Sequence, residues 1–141
     1  MLFRSVSVYA DGGMTSTRTI GALAGPGGLG AVVWLNEQNL YLSRRNGTTW
    51  TSPQIIAATV GVVPRFSQLN GSRGLVHFYD AASGPKMIEV AADGYLGPAT
   101  DSQLPGAIFG TEYAGAGAKA AAIATSFGAD GGYVVYASQC R

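Results

Sequence analysis

Short runs of apolar and β-branched residues recur along the chain at a nearly constant spacing. The runs open on small residues at Gly28, Gly74 and Ala120, so each run starts 46 residues after the one before. A segment rich in Asn, Asp, Gly, Pro or Ser follows each run, and this composition is typical of turns. Since a fixed period of about 20 to 50 residues marks a repeat architecture, the chain is predicted to consist of tandem copies of one unit.

Each copy is predicted to contain a β-hairpin with a further strand before it. A second apolar and aromatic run follows every turn, over residues 40–43, 87–90 and 133–136. Such pairs of runs, separated by turn residues, favour antiparallel hairpins. Segments 17–19, 64–66 and 111–113 hold matching places upstream, at a spacing of 47. The Ala- and Gly-rich stretch 106–124 is interpreted as strand, with a short helix or loop as the alternative, because glycines interrupt it.

A fourth strand is predicted after the Asn46-Gly47 turn, over residues 50–56, and more weakly after Asp93-Gly94, over residues 95–102. The third copy stops at Cys140 and Arg141, where its turn should come. Residues 2–9 alternate in the manner of a strand and precede Arg18 as residues 50–57 precede Arg65. The N-terminal segment is therefore predicted to supply the strand that the last copy lacks.

The fold class predicted is an all-β β-propeller with three four-stranded blades per chain. The length of 141 residues is 3 × 47, which divides one domain, 1–141, into repeats 1–47, 48–94 and 95–141. The N-terminal strand would complete the last blade and cover its open edge. Because propellers normally have about four to eight blades, a homodimer with six blades is expected to close the ring.

Composition restricts the partners of this protein. Only 12% of the residues are charged, and nine basic side chains nearly cancel eight acidic ones, which argues against a nucleic-acid partner. The hydrophobic fraction of 47%, before the 21 glycines are counted, favours self-association. No apolar run is long enough for a membrane helix, and the N-terminus lacks the apolar segment of a signal peptide. The cellular compartment is left open.

Candidate catalytic and metal-binding groups are few. Cys140 is the only cysteine, so neither an internal disulfide nor a cysteine-based zinc site is expected. His77 is the only histidine and lies inside a predicted strand, where we interpret it as a structural residue. Arg18 and Arg65 recur at the repeat period, but Glu112 holds the third position, which favours a salt bridge or rim contact. We therefore predict no catalytic residue, no metal and no cofactor.

Residues 43–50 resemble the Asp box of sialidase-like propellers, which reads Ser or Thr, any, Asp, any, Gly, any, Thr, Trp. Ser43, Gly47, Thr49 and Trp50 match the motif, and Arg45 stands in place of the Asp. In that family the box is a folding motif on an outer turn of the blade. The resemblance therefore implies architecture rather than catalysis.

The same segment, together with residues 88–94, is also similar to small lectin propellers, including fucose-binding ones. In the fucose-binding pattern a Glu lies five residues before the turn glycine, as Glu89 lies before Gly94. The resemblance implies glycan binding, in which aromatic faces stack on sugar C–H groups and a few polar groups bind hydroxyls. The positions that depart from the pattern are Leu42 and Ser7, in place of the Glu, and Arg45 and Ala92, in place of a Trp.

Five residues are the candidate ligand-binding positions: Trp50, Tyr95, Glu89, Trp34 and Tyr79. Trp50 and Tyr95 follow turns, where a ligand can reach them. Glu89 alternates with apolar neighbours, so we expect it to face away from the packed side of its strand. Trp34 and Tyr79 share one repeat position with Phe127, and packing between blades is the alternative interpretation of all three.

These observations favour a non-enzymatic, lectin-like protein that binds glycans through several weak sites whose multivalency raises avidity. One alternative is a structural or protein-interaction propeller without ligand chemistry. A sialidase-like glycoside hydrolase is the third hypothesis, although glycoside hydrolysis requires a pair of carboxylates in one pocket. The sequence shows no convincing pair.

Overall fold

The protein is built from antiparallel β-strands joined by tight turns. The computed structural model describes residues 17–102, 108–116, 119–127 and 133–140. These residues contain no α-helix, and their only helical segment is a single 3₁₀ turn, Pro26–Gly28. Accordingly, none of the described residues belongs to a helix that is long and apolar enough to cross a membrane.

The first sheet is an up-and-down meander in chain order. It contains β1 (Thr17–Ala24), β2 (Gly30–Asn36) and β3 (Asn39–Asn46), followed by two short edge pieces, β4 (Thr49–Trp50) and β5 (Gln54–Ala57). Both edge pieces pair with β3. A two-residue turn joins β2 to β3, and Asn36 pairs with Asn39 across it.

The second and third sheets follow the same antiparallel order. The second contains β6 (Val60–Asn70), β7 (Arg73–Asp80), β8 (Gly84–Ala91) and the short β9 (Thr100–Asp101). The third contains β10 (Ile108–Ala116), β11 (Lys119–Phe127) and β12 (Tyr133–Cys140). Each described sheet thus repeats one hairpin preceded by one strand.

The hairpins and the strands upstream of them are confirmed. Segments 17–19, 64–66 and 111–113 lie in β1, β6 and β10, and the described residues of the Ala- and Gly-rich stretch lie in β10 and β11. A fourth strand follows in the first two sheets, but each is broken into pieces: β4 and β5 in one, an isolated bridge at Leu96 and then β9 in the other. The strand predicted over residues 2–9 lies outside the described residues.

A proline stands in the break of each edge strand, Pro53 in the first sheet and Pro98 in the second. Proline has no backbone N–H and cannot continue a ladder, so it shortens the free edge that a sheet offers to other chains. Thr51 bridges the first break. Its carbonyl accepts a hydrogen bond of 2.7 Å from the hydroxyl of Ser43, and its Oγ1 accepts one of 3.0 Å from the backbone N–H of Arg44.

The described apolar core lies where the first and second sheets meet. Alternate residues of each strand point into it, as the period of a β-strand requires. Burial of each Val, Leu, Ile or Phe side chain in it contributes about 1.5 to 3 kcal/mol. The buried members are Leu23, Ala31, Val33, Leu35, Leu40 and Leu42 from the first sheet, and Val60, Val76, Phe78, Ile88, Val90 and Ala92 from the second sheet and its final turn.

Phe66 on β6 fits against two glycines, one in each of these sheets. A Cβ atom built on Gly21 of β1 would lie 2.2 Å from Cγ of Phe66, and one built on Gly74 of β7 would lie 2.4 Å from its Cζ. The ring therefore occupies the space that side chains would need at both positions. The strand that carries this ring, β6, contacts the first strands of both other sheets, β1 and β10.

We expect Gly21→Ala and Gly74→Ala each to lower the free energy of unfolding by about 1 to 3 kcal/mol, because a methyl group would overlap the Phe66 ring. Urea denaturation monitored by tryptophan fluorescence measures this change. Gly71→Ala is the matched control: Gly71 is exposed, with no atom within 4 Å of its built Cβ, and we expect a change within about 0.5 kcal/mol. Equal effects at the three positions would contradict the packing role of Phe66.

Candidate functional site

Three side chains of the second sheet form an exposed cluster: Arg73 at the start of β7, Glu89 on β8, and Tyr95 in the turn that follows β8. In the β7–β8 ladder Arg73 pairs with Ala91, and Leu75 pairs with Glu89. Arg73 and Glu89 are therefore diagonal neighbours on one face, within reach of long side chains. This Arg73–Glu89–Tyr95 cluster is the candidate site.

The cluster is held by an ion pair and a cation–π contact. Nη1 of Arg73 donates a hydrogen bond of 2.8 Å to Oε1 of Glu89. The guanidinium carbon of Arg73 also lies 5.5 Å from the centroid of the Tyr95 ring, within the range of a cation–π interaction. The Tyr95 residue is 46% exposed. An aromatic ring, a cation and a carboxylate thus meet at one exposed place.

Backbone contacts fix the turn that carries Tyr95. The N–H of Tyr95 donates to Oδ1 of Asp93 at 3.1 Å, and its carbonyl accepts from the N–H of Ala91 at 3.0 Å. Gly94 has a φ of +105°, a conformation that L side chains rarely adopt, so the turn requires glycine there. Tyr95 is therefore held in place by its main chain.

The chain passes back beside Glu89 after this turn. The N–H of Gly97 donates a hydrogen bond of 2.8 Å to the carbonyl of Glu89. A Cβ built on Gly97 would lie 3.5 Å from the hydroxyl oxygen of Tyr95 and 3.4 Å from Cβ of Glu89. Gly97 thus lies between the carboxylate-bearing strand and the tyrosine hydroxyl.

This arrangement suits a ligand with many hydroxyl groups. A carboxylate accepts hydrogen bonds, a guanidinium donates several in a fixed plane, and a tyrosine ring offers an apolar face with a polar tip. Because Glu89 balances the charge of Arg73, the cluster has no net charge that would select an ionic ligand. Its chemistry therefore suits polar recognition of an uncharged ligand.

The five positions predicted from sequence occupy different environments. Glu89 and Tyr95 come together in the cluster, as described. Trp34 is buried, 6% exposed, and its ring stacks on Tyr41 with centroids 5.5 Å apart and planes 12° from parallel. Trp50 is half-buried on the edge piece β4, opposite Arg45. Tyr79 is half-buried near the end of β7, next to Gly61.

Arg73 is the member of the cluster that sequence reasoning missed. A signal was present, because the residue numbers of every pair in an antiparallel hairpin have the same sum. The pairs Arg73–Ala91 and Leu75–Glu89 follow this rule. That sum places Arg73 diagonally across from Glu89. This rule can be applied only when the length of the β7–β8 turn is known, and the structure defines that turn as residues 81–83.

His77 is buried on β7, with 4% of its surface exposed. Desolvation lowers the pKa of its imidazole from 6.5 to about 4, since burial disfavours the charged form. His77 is therefore neutral at physiological pH. This environment agrees with the structural role that we assigned to it.

The carboxylate of Asp80 organises the β7–β8 turn. Its pKa is lowered, first by the hydrogen bond from the hydroxyl of Ser83 and then by the backbone N–H of Ser83 and the hydroxyl of Thr59. The carboxylate of Asp80 therefore stabilises this turn. Within the described part of the chain, no group of three or more His, Cys, Asp or Glu side chains is placed to hold a metal ion.

Comparison of the chain with protein-family models, with curated proteins and with solved structures found no match. The resemblance to lectin propellers, which was drawn from residues 43–50 and 88–94, therefore stays a prediction. The Arg73–Glu89–Tyr95 cluster adds to it the contacts of Glu89 with Arg73 and of Arg73 with Tyr95.

Burial of His77 predicts a loss of stability in mild acid. Above pH 6.5 the imidazole is neutral in both states, whereas between pH 6.5 and 4 the unfolded chain takes up a proton that the folded protein does not. From pH 7 to pH 4.5 we expect the free energy of unfolding to fall by about 2 to 3 kcal/mol from this residue alone. Urea denaturation at the two pH values, with His77→Gln as the variant that lacks this loss, measures the effect.

An NMR titration of the folded wild-type protein tests the same prediction without a substitution. Because His77 is the only histidine, its ring protons report directly on its protonation. We expect the midpoint near pH 4. A midpoint near pH 6.5 would show that the imidazole is not desolvated in the folded state.

Proposed function

We propose that this protein is a non-enzymatic, carbohydrate-binding β-propeller whose site on the second sheet is the Arg73–Glu89–Tyr95 cluster. The observation that carries the proposal is the exposed ring of Tyr95 next to the Arg73–Glu89 ion pair. In this site the ring stacks on the C–H face of a sugar. Arg73 donates hydrogen bonds to the hydroxyls on the sugar rim, and Glu89 accepts them.

A single cluster of three side chains binds a sugar with low affinity. Ligand sites gain affinity by burying most of the ligand, whereas Tyr95 and Arg73 lie on an open surface. Several sites on one particle compensate, because a second binding event is intramolecular once the first has occurred. The protein therefore acts on surfaces that carry many copies of a glycan rather than on a free monosaccharide.

Topology supports the propeller arrangement. The sheets are up-and-down meanders in chain order, and β6, the first strand of the second sheet, contacts the first strands of the other two, β1 and β10. Adjacent first strands are the arrangement expected when blades surround an axis. Under this proposal the three sheets are three blades of about 47 residues.

Closure of the ring is part of the proposal. The first two sheets carry edge pieces beyond their third strand, and the corresponding neighbour of β12 would be the strand predicted over residues 2–9. Two chains would provide six blades and several copies of the site. A two-fold arrangement of this kind also buries apolar surface that one chain exposes.

A protein-interaction role is the second candidate, and it is favoured by the composition of the cluster. Tyr and Arg are among the residues that dominate the binding energy of protein interfaces. Burial of Trp34 removes one of the aromatic groups that a larger sugar site would use. A peptide or protein partner and a glycan are distinguished by the binding experiment below.

We expect soluble protein to bind one or more neutral glycans on an array, with calorimetry giving the affinity for the best of them. Glu89→Gln and Tyr95→Ala should each weaken binding at least about tenfold. The first replaces one acceptor oxygen by an N–H donor and removes the negative charge, and the second removes the stacking face. An exposed ion pair contributes only about 0 to 1 kcal/mol, so Glu89→Gln should leave the unfolding transition nearly unchanged.

Asp101→Asn is the matched control for this experiment. Lys86 and Asp101 form a second exposed ion pair on the same sheet, outside the cluster. We expect the control to bind glycans as the wild type does. Absence of binding to every sugar at millimolar concentration, or equal losses in Asp101→Asn and Glu89→Gln, would rule out this site. Release of free sugar from a bound glycan would instead indicate a hydrolase.

The mass of the protein in solution tests ring closure separately. Light scattering across a range of concentrations should give a mass near twice the 14.5 kDa of one chain, because six blades close a ring and three do not. A chain lacking residues 1–10 should lose this assembly or its stability. A stable monomer at high concentration would contradict closure by dimerisation and leave the glycan experiment unaffected.

A further inference from the structure

Two Asn-Gly pairs occupy turns of the described sheets. Asn46 ends β3 and Gly47 begins the turn to β4, while Asn70 ends β6 and Gly71 begins the turn to β7. In an Asn-Gly pair the glycine nitrogen can approach the side-chain amide carbon of the asparagine, because glycine has no side chain to obstruct it. The two turns share this sequence but differ in how they hold the asparagine.

The side chain of Asn70 is fixed by its own turn. Its Oδ1 accepts hydrogen bonds from the backbone N–H of Ser72 at 3.1 Å and of Arg73 at 3.0 Å, and the hydroxyl of Ser72 lies 3.5 Å away. The turn also joins two long paired strands, β6 with 11 residues and β7 with 8. Rotation of this side chain or opening of this hairpin therefore costs several hydrogen bonds.

Asn46 is held much less firmly. It is exposed, and within the described residues no hydrogen bond holds its side chain. Gly47 has a φ of +61°, and no atom lies within 4 Å of a Cβ built on it. Beyond the turn β4 is only two residues long, and Thr51 then holds the chain to Ser43 and Arg44. The Asn46–Thr49 pair can therefore open locally while that anchor stays in place.

We propose that Asn46 is a site of spontaneous deamidation in the folded protein and that the same reaction is suppressed at Asn70. The backbone nitrogen of Gly47 loses its proton to solvent base and attacks Cγ of Asn46. The new bond between the Gly47 nitrogen and Cγ of Asn46 closes a five-membered succinimide ring. The Cγ–Nδ2 bond breaks, and Nδ2 takes up protons from solvent and leaves as ammonia. Water then opens either carbonyl of the ring, which yields aspartate or isoaspartate without any change of oxidation state.

The modification changes both charge and packing. Each event replaces a neutral amide by a carboxylate, so the formal net charge of the chain falls from +1 to 0. Lower net charge promotes self-association. Isoaspartate also adds a methylene to the main chain, which disrupts the Asn46–Thr49 pair and the contact of this turn with Gly28, whose built Cβ lies 3.2 Å from Cα of Gly47.

Peptide mapping by mass spectrometry tests this proposal on the full-length folded protein, incubated at mildly alkaline pH and sampled over days. Two backbone hydrogen bonds to Oδ1 of Asn70 must break before its side chain can rotate, so we expect Asn46 to convert at least about fivefold faster than Asn70. In concentrated urea the two rates should become similar, because the sequence Asn-Gly is then the only determinant.

Asn46→Gln is the control variant, since ring closure from glutamine requires a larger ring. It should fold as the wild type does and remove the acidic species that ion-exchange chromatography separates from aged protein. Conversion of Asn70 at a rate equal to or above that of Asn46 in the folded protein would overturn the proposal. The same conclusion would follow if Asn46 remained intact in the folded protein while it reacted in urea.

Discussion

The packing of the Phe66 ring against Gly21 and Gly74 brings two sheets together at one point. Gly21 belongs to the first strand of one sheet, and Gly74 belongs to the strand beside Phe66 in the other. A larger residue at either position would push β6 away from its neighbours. The apolar core at the same boundary depends on this approach, because its members come from both sheets and cannot be buried by either alone.

The core in turn determines where the candidate site lies. Ile88 and Val90 on β8 are almost completely buried, so the residue between them, Glu89, must face the other side of the strand. On that side it meets Arg73 across the hairpin, and Arg73 contacts the ring of Tyr95. The packed face of β8 thus fixes the geometry of the cluster on its other face. The cluster itself is exposed and weakly bonded, so it affects the stability of the fold little.

Charge is scarce in this chain, and the described charged groups act locally. Asp80 organises one turn, while two ion pairs lie on the surface of the second sheet. His77, the one histidine, is kept neutral by burial. Stability therefore comes mainly from apolar packing and strand pairing, and the remaining surface charge is available for recognition.

The sequence by itself determined the repeat, the hairpins and the turns, because strand alternation and turn-forming residues act over a few positions. It also placed Glu89 on an outward face, since an alternating pattern specifies the side to which each residue points. It did not find Arg73, because the partner across a hairpin depends on the length of the turn between the strands. Nor did it show that Trp34, for which ligand binding and packing between blades were both open, is buried and stacks on Tyr41. Only tertiary structure settles such questions, because a periodic pattern specifies a face of a strand, while folding of the whole chain decides what covers that face.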